Sequence, residues 1–266
     1  MHPPEILARF DAQMRRDLPP PSPAWRVERE GRVVRWVSPP EMPWGSFVAW
    51  SDLDEGTADG AIAAEVSYFA RLARRFEWKI YGHDRPADLG ARLRAAGLQP
   101  EPAEALVIGA VEEVVAATAD MAPPPGITLR CPDRGEPLDG IAALQSAVLG
   151  GDWAWLVAEL EHELRADPTA LSIHVAEAEG QIVGAAWVRF HRGTEFASLW
   201  GGSTLPAWRR RGIYRGLVAR RARQAHGRGL RYLQVDASPD SRPILERLGL
   251  RAVSTTTPYV WCPPSS

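Results

Sequence analysis

Three consecutive arginines and a glycine, Arg209, Arg210, Arg211 and Gly212, stand between a stretch that reads as a strand and one that reads as a helix. The strand, residues 195–204, is closed by Pro206, which has no N–H to give to a sheet ladder. Beyond the glycine, Tyr214, Leu217, Val218, Ala222 and Ala225 recur on one helical face, and Arg215, Arg220 and Arg223 fall largely off it. The basic turn therefore opens a helix whose first amides have no carbonyl partner within the helix. Such an end holds phosphate through N–H donors and the helix dipole, and arginines add charge-assisted bonds. Gly212 lets the backbone approach an anion with no Cβ in the way. The plainer alternative is a solvated basic helix start, and short motifs do arise by chance. The strand before the turn and the helix after it favour phosphate.

The elements that must hold this turn follow a pattern that occurs twice. Residues 77–81 read as a strand, followed by a Gly-His-Asp-Arg-Pro turn and a short amphipathic helix, 87–96, that ends at Gly97. Residues 231–235, an Asp-Ala-Ser-Pro-Asp turn and a helix over 242–248 ending at Gly249 repeat that grammar. A longer helix precedes each copy, 59–75 and 211–226, and a final strand follows each, 105–109 and 258–261. The glycines suit left-handed positions after a helix. Two matching series favour a tandem repeat of one fold.

Ahead of the second copy lie helical patterns at 137–149 and 153–164 and a strand meander over 171–176, 182–190 and 195–204. Helices, a meander, then strand–helix–strand units predict an α+β class with a mixed, mostly antiparallel sheet. The first half offers a strand pair, 25–30 and 32–37, joined at Gly31, and reads as a truncated copy without leading helices. Prolines at 19–23 set off an N-terminal arm, and prolines 123–125 with Gly126 read as a linker. The division expected is residues 1–122 and 127–266.

The chain of 266 residues is 45% hydrophobic and 24% charged with net charge −2, so it carries no basic field for nucleic acid. Lys79 is the lone lysine. Cys131 and Cys262 have neither metal-ligand spacing nor a disulfide framework, which fits a reducing cytoplasm. The start lacks the apolar segment of a signal peptide, and no apolar run is long enough to span a bilayer.

The turn resembles the acyl-CoA-binding loop of the GNAT acetyltransferases, Gln/Arg-x-x-Gly-x-Gly/Ala, with Arg209 and Gly212 at its first two fixed places and Tyr214 at the third. Leu245-Glu-Arg-Leu-Gly-Leu resembles the second signature of that family, usually Tyr-Glu-Lys-Leu-Gly-Phe. The whole chain resembles bacterial two-domain members whose first domain is degenerate. The resemblance implies acetyl-CoA as co-substrate, its pyrophosphate on the loop (Arg209, Arg210, Arg211, Gly212, Ile213, Tyr214) and its pantetheine along Ser203, Thr204 and Leu205. Ser238 stands where many members have an asparagine that contacts the coenzyme. Residues 52–59, acidic and without arginines, take the loop's place in the first copy and would repel a pyrophosphate.

The chemistry implied is direct acyl transfer from a thioester to the amine of a small-molecule or peptide acceptor, with no part for nucleic acid or membrane. Backbone N–H groups near residues 200–203 would hold the oxyanion, since Gly201 and Gly202 suggest a bulge; a plain glycine bulge is the competing reading. Asp236 and Glu195 are the candidate bases, against a turn cap and a solvated strand end; His174 on a strand face is a weaker one. Trp153 and Trp155 line an acceptor pocket or pack in the core. Leu245 stands where many members have the tyrosine that protonates the departing thiolate, leaving Tyr259 and Tyr214 as replacements. The expectation is an N-acetyltransferase. The alternatives are a non-catalytic acyl-CoA sensor or a tandem-domain synthase acylating a larger amine, similar to mycothiol synthase.

Overall fold

A computed structural model describes residues 3–20, 22–40, 42, 45–122 and 124–264. Met1, Pro21 and Pro123, which belong to the arm and linker expected above, lie outside the described residues. In chain order the elements are α1 (Pro3–Phe10), β1 (Arg26–Glu30), β2 (Val33–Val37), β3 (Phe47–Ser51), α2 (Ala58–Arg71), β4 (Phe76–Tyr81), α3 (Leu89–Ala95), β5 (Gln99–Pro100) and β6 (Glu104–Ala110). There follow α4 (Val111–Ala117), β7 (Thr128–Arg130), α5 (Asp139–Leu149), α6 (Ala154–Ala166), β8 (Leu171–Ala178), β9 (Gln181–Phe190) and β10 (Phe196–Thr204). The chain ends with α7 (Ile213–Gly227), β11 (Tyr232–Ala237), α8 (Arg242–Arg247) and β12 (Arg251–Trp261).

Two compact units result. Unit 1 comprises Met1–Leu106, Asp236–Pro239 and Ala252–Ser266; unit 2 comprises Val107–Val235 and Asp240–Arg251. This cut differs from a division at the proline linker because β12 pairs antiparallel with β4, Thr256 opposite Tyr81 through Trp261 opposite Phe76. The strand after α8 thus joins unit 1, and the strand after α3 runs on into unit 2.

In unit 1 the strand order is β1-β2-β3-β4-β12-β6. β3 and β4 are parallel, with α2 as their crossover, and every other pair whose register is known there is antiparallel. Val48, Ile62, Phe69, Phe76, Trp78, Leu93 and Tyr259 make its core. The unit does have a leading helix, against the expectation: α1, continued by a π-helical turn Asp11–Arg16, buries Ile6, Phe10 and Arg15. Its pattern is hard to see because the helix opens on two prolines, tolerated in a first turn, and is only eight residues long. β3, α4 and β7 were also not anticipated, and β12 is eleven residues long rather than four.

In unit 2 the order is β6-β11-β10-β9-β8-β7. β10 and β11 are parallel with α7 as crossover, while β7, β8, β9 and β10 pair antiparallel. The long strands β8 and β9 are buried on both faces. Ile173, Val175, Ala185 and Trp187 pack with Ile141 and Leu144 of α5 and Leu160 of α6; Ala176, Val183 and Ala186 pack with Ile213 and Leu217 of α7. Unit 2 is therefore a sheet with helices on either side, and each unit contains one strand–helix–parallel-strand crossover followed by a short helix. Among the described residues no helix is long and apolar enough to cross a membrane, and no group of three His, Cys, Asp or Glu side chains could hold a metal.

Candidate functional site

The site grows from a defect in β10. Its pairing with β9 is regular to Gly201 opposite Ala186, and resumes at Ser203 opposite Ala185, so Gly202 is an extra residue. Gly201 (φ 69°) and Gly202 (φ 85°) both lie in the left-handed region. Space imposes glycine as well: a Cβ on Gly201 would come within 2.4 Å of the Trp187 ring, and one on Gly202 within 2.7 Å of the Tyr214 ring. On its other edge, the parallel register of β10 with β11 runs from Phe196 opposite Tyr232 to Ser198 opposite Gln234. The bulge thus lies in the part of β10 beyond that register.

After β10 the chain makes a 3-10 turn, Pro206–Trp208, and enters α7 through Arg210 (φ 62°) and Gly212 (φ 87°). The first helical bond is Gly216 N–H to the Gly212 carbonyl, 2.9 Å, so the amides of Ile213, Tyr214 and Arg215 precede the ladder. A Cβ at Gly212 would make only ordinary contacts, 3.8 Å to the Arg215 guanidinium and to Pro124, so it is the left-handed backbone and not crowding that calls for glycine there. Arg209 donates from Nε to the Thr204 carbonyl at 3.3 Å, and the Arg211 guanidinium lies 4.5 Å from the centre of the Trp208 ring. Arg209, Arg210 and Arg211 are all exposed. Early helix amides, a left-handed glycine and solvent-facing guanidiniums fit a pyrophosphate.

Around this turn the structure gathers several of the residues singled out by sequence. Ser203 donates its hydroxyl to Oε1 of the buried Gln145 of α5 at 2.5 Å. The Thr204 hydroxyl is buried with no hydrogen-bond partner. The Leu205 amide donates to the Val183 carbonyl, tying the strand end to β9. Tyr214 lays its ring against Gly202 and shares a hydrogen bond with Ser241, just before α8. Burial raises its phenol pKa, partly offset by Arg221 and by that hydrogen bond, so it stays protonated at neutral pH.

Other expected residues are paired, packed in a core, or set apart from this turn. Glu195 precedes the first residue of β10, roughly 20 Å along the strand from the bulge, and pairs with Arg231 at 2.6 Å. Tyr259 sits in the unit 1 core opposite Trp78, its hydroxyl 3.4 Å from Arg94 and close against Gly90. Asp236 lies near the end of β11, two residues beyond its register with β10, and takes the Lys79 ammonium at 2.5 Å; Glu77 and Glu104 nearby have their carboxyls raised, chiefly by burial. Ser238, just past β11, is also in unit 1. His174 is buried on β8 against Gln224 Oε1 at 3.0 Å, its pKa pulled down to about 3 by burial and the nearby Arg221 and Arg220. Leu245 is fully buried in α8. Trp153 and Trp155 lie 5.4 Å apart at the start of α6, Trp155 largely exposed. His83 bridges Ser254 and Asp11, a structural link between the turn after β4, β12 and the N-terminal π-helical turn.

Three residues at the bulge were not anticipated: Gln145, Trp187 and Arg221. Gln145 and Trp187 carry no signal in one sequence. Arg221 does, because it occupies the apolar stripe of α7, four residues after Leu217 and four before Ala225. Burial pulls its pKa down to about 10.

Residues 140–250 match the sequence profile of the Acetyltransferase (GNAT) family. No curated protein matches the chain in sequence. Among solved structures it is similar to a GCN5-related N-acetyltransferase from Kribbella flavida (TM-score 0.67, 17% identity, 91% of each chain covered). It is also similar to a tandem GNAT protein from the clavulanic acid biosynthesis pathway (TM-score 0.61, 16% identity, 92% of this chain and 85% of that one). A third is a GCN5-related N-acetyltransferase from Sphaerobacter thermophilus (TM-score 0.57, 12% identity, 97% and 85%). At these identities the likeness is one of fold.

Proposed function

We propose, on the premise that residues 140–250 form a GNAT acetyltransferase domain, that this chain moves an acyl group, most simply acetyl, from acyl-CoA to the amine of an acceptor. The observation that carries this reading is the left-handed Gly212 at the N-terminus of α7, directly after a bulged strand and beneath three exposed arginines. Arg209, Arg210 and Arg211 with the amides of Ile213, Tyr214 and Arg215 would hold the pyrophosphate. Ser203, Thr204 and Leu205 would run beside the pantetheine arm.

Transfer requires an unprotonated amine, a held oxyanion and a proton for the departing sulfur. The amides of the bulge at Gly201 and Gly202 suit the oxyanion, since one residue there lies outside the β9 ladder. Tyr214 suits the proton: its phenol is kept neutral by burial and its ring touches the bulge. Leu245 has no proton to give, and Tyr259 is packed in the other unit's core. For the base the geometry favours neither Glu195, far along β10, nor Asp236, which already takes the Lys79 ammonium. The amine is then best supplied unprotonated, so the rate rises with pH through the acceptor's own pKa. Both cysteines are free, in keeping with a reducing cytoplasm.

The test is thiol release from acetyl-CoA by the full chain across a panel of primary amines, from small cations to peptides. Release above the acceptor-free rate with at least one amine is expected. The buried Leu245 favours one other reading, a sensor that binds acetyl-CoA without turning it over. Acetyl-CoA binding with no amine-dependent release would select it.

A further inference from the structure

α7 carries a charge where its pattern calls for an apolar side chain. Tyr214, Leu217, Val218, Arg221, Ala222 and Ala225 form one stripe, and Arg221 is only 2% exposed. Its Nε donates to the Leu217 carbonyl at 3.0 Å, and its Nη1 donates to the carbonyls of Trp187 (3.2 Å) and Trp200 (3.1 Å). Among the described residues no carboxylate pairs with it. The titratable and charged groups that feel it are the Tyr214 phenol and His174, with Arg220 adjacent.

Burying an uncompensated guanidinium is expensive, and a well-packed apolar residue is often at least as stable in such a place. Stability therefore gives a poor account of Arg221, but its contacts give a better one. Trp187 and Trp200 face each other in the β9–β10 register, immediately before the bulge. In a trans peptide the C=O and the following N–H point in opposite directions. Pinning the Trp200 carbonyl toward Arg221 thus turns the Gly201 N–H away from it and fixes where the bulge begins. The Tyr214 ring closes the other glycine of the bulge, two helical turns before Arg221 on the same stripe.

We infer that Arg221 is a positioning residue for acyl transfer: it pins the Trp200 carbonyl, aims the bulge amides at the thioester oxygen, and sets a buried positive charge behind Tyr214. The inference rests on the acyl-transfer reading above. In the step concerned the amine nitrogen bonds to the acyl carbon and the C–S bond breaks, its electron pair passing to sulfur. The Tyr214 phenol gives its proton to that sulfur, and the proton lost by the amine returns to the phenolate through water. Arg221 touches none of the reacting atoms. It holds the amides and favours the negative charge that passes between oxygen, sulfur and phenol.

The experiment compares the parent with Arg221→Met and Arg221→Lys, using acetyl-CoA and the fastest amine of the panel. Acetyl-CoA affinity is measured by calorimetry and folding by thermal unfolding. Arg221→Met should lower kcat at least tenfold while KM and affinity for acetyl-CoA stay within threefold. Arg221→Lys, which keeps the charge but loses the Nε bond to Leu217 and ends one bond short of the Nη1 that bridges the two carbonyls, should recover part of that loss. If Arg221→Met does not fold, the Lys variant decides alone, and a lowered kcat at unchanged affinity is expected. Parent kcat per folded molecule in both variants, or a loss confined to acetyl-CoA affinity, would overturn the inference and leave the function standing. A parent that neither binds acetyl-CoA nor releases thiol would overturn both.

Discussion

The two crossovers in this chain build the same junction, a strand leading into a helix and on to a parallel strand, and fill it differently. In unit 2 the β10–α7 turn presents Gly212, exposed arginines and helix amides ahead of the ladder. In unit 1 the β3–α2 turn carries its own anion. Asp54 Oδ1 accepts the Gly56 amide (3.1 Å), the Thr57 amide (3.0 Å) and the Thr57 hydroxyl (2.8 Å). Asp52, Glu55 and Asp59 add negative charge around it. One fold thus yields an end with open donors or a self-satisfied one according to whether the turn contributes arginines or a carboxylate.

Among the buried cations one stands apart, and it lies in unit 2. In unit 1, Arg15 meets Asp84 and Asp11, Arg35 meets Glu65 and Glu28, and Lys79 meets Asp236. In unit 2, Arg189 meets Glu163 and Glu159, but the more deeply buried Arg221 is left to backbone carbonyls, and His174 is kept neutral by burial. Both units pair most of their charges internally; what sets unit 2 apart is one deeply buried arginine held by backbone carbonyls beside the bulge.

The largest effect that would sharpen this contrast is on proton delivery. Tyr214→Phe should lower kcat about 10²-fold, the lower range of general acid catalysis, with acetyl-CoA affinity nearly unchanged. Tyr259→Phe, in the unit 1 core, should leave kcat within twofold per folded molecule. Steady-state kinetics on both variants checks this, and equal losses would erase the distinction between the units.

Next comes the pH response of unit 2. An unfolded histidine titrates near 6.5, and His174 has a folded pKa of about 3. Above pH 6.5 both states are neutral and the group contributes nothing to the pH response. As pH falls below 6.5 the unfolded chain takes up the proton first, so stability drops. At pH 5 the penalty is about 2 kcal/mol. Urea unfolding at pH 7 and pH 5 should show that difference shrink by about this amount in His174→Gln.

Smaller again is the loop itself. Gly212→Glu places a carboxylate beside the anion site on a left-handed backbone, and should weaken acetyl-CoA by at least about 1.4 kcal/mol, a factor of ten. Calorimetry on the folded variant checks it; unchanged affinity would make the turn structural. The smallest effect belongs to the acidic turn. Asp54→Ala should slightly lower the thermal unfolding midpoint and create no second acetyl-CoA site, since the neighbouring acids remain.

What could be read from one sequence divides along physical lines. The basic turn, Gly212 and the α7 face were legible because they are local, set by spacing within one helix and its entry. The repeated strand–turn–helix grammar and the meander were legible for the same reason. The exchange of final strands was not: whether β12 pairs with β4 depends on partners far apart in the chain, and no local pattern encodes it. Tyr214 against Gly202 likewise needs the β9–β10 register and its bulge. Glu195 shows the converse risk, a carboxylate on the right strand at the wrong end. Arg221 was visible as a charge on an apolar stripe, a conflict between pattern and residue that marks a site.

The central claim, one acyl-CoA site in unit 2 and none in unit 1, is tested most directly by isothermal titration of the full chain with acetyl-CoA. The account predicts a single site per chain, lost or weakened at least tenfold in Gly212→Glu and unaltered in Asp54→Ala. Two comparable sites per chain, or one site indifferent to Gly212→Glu, would contradict it.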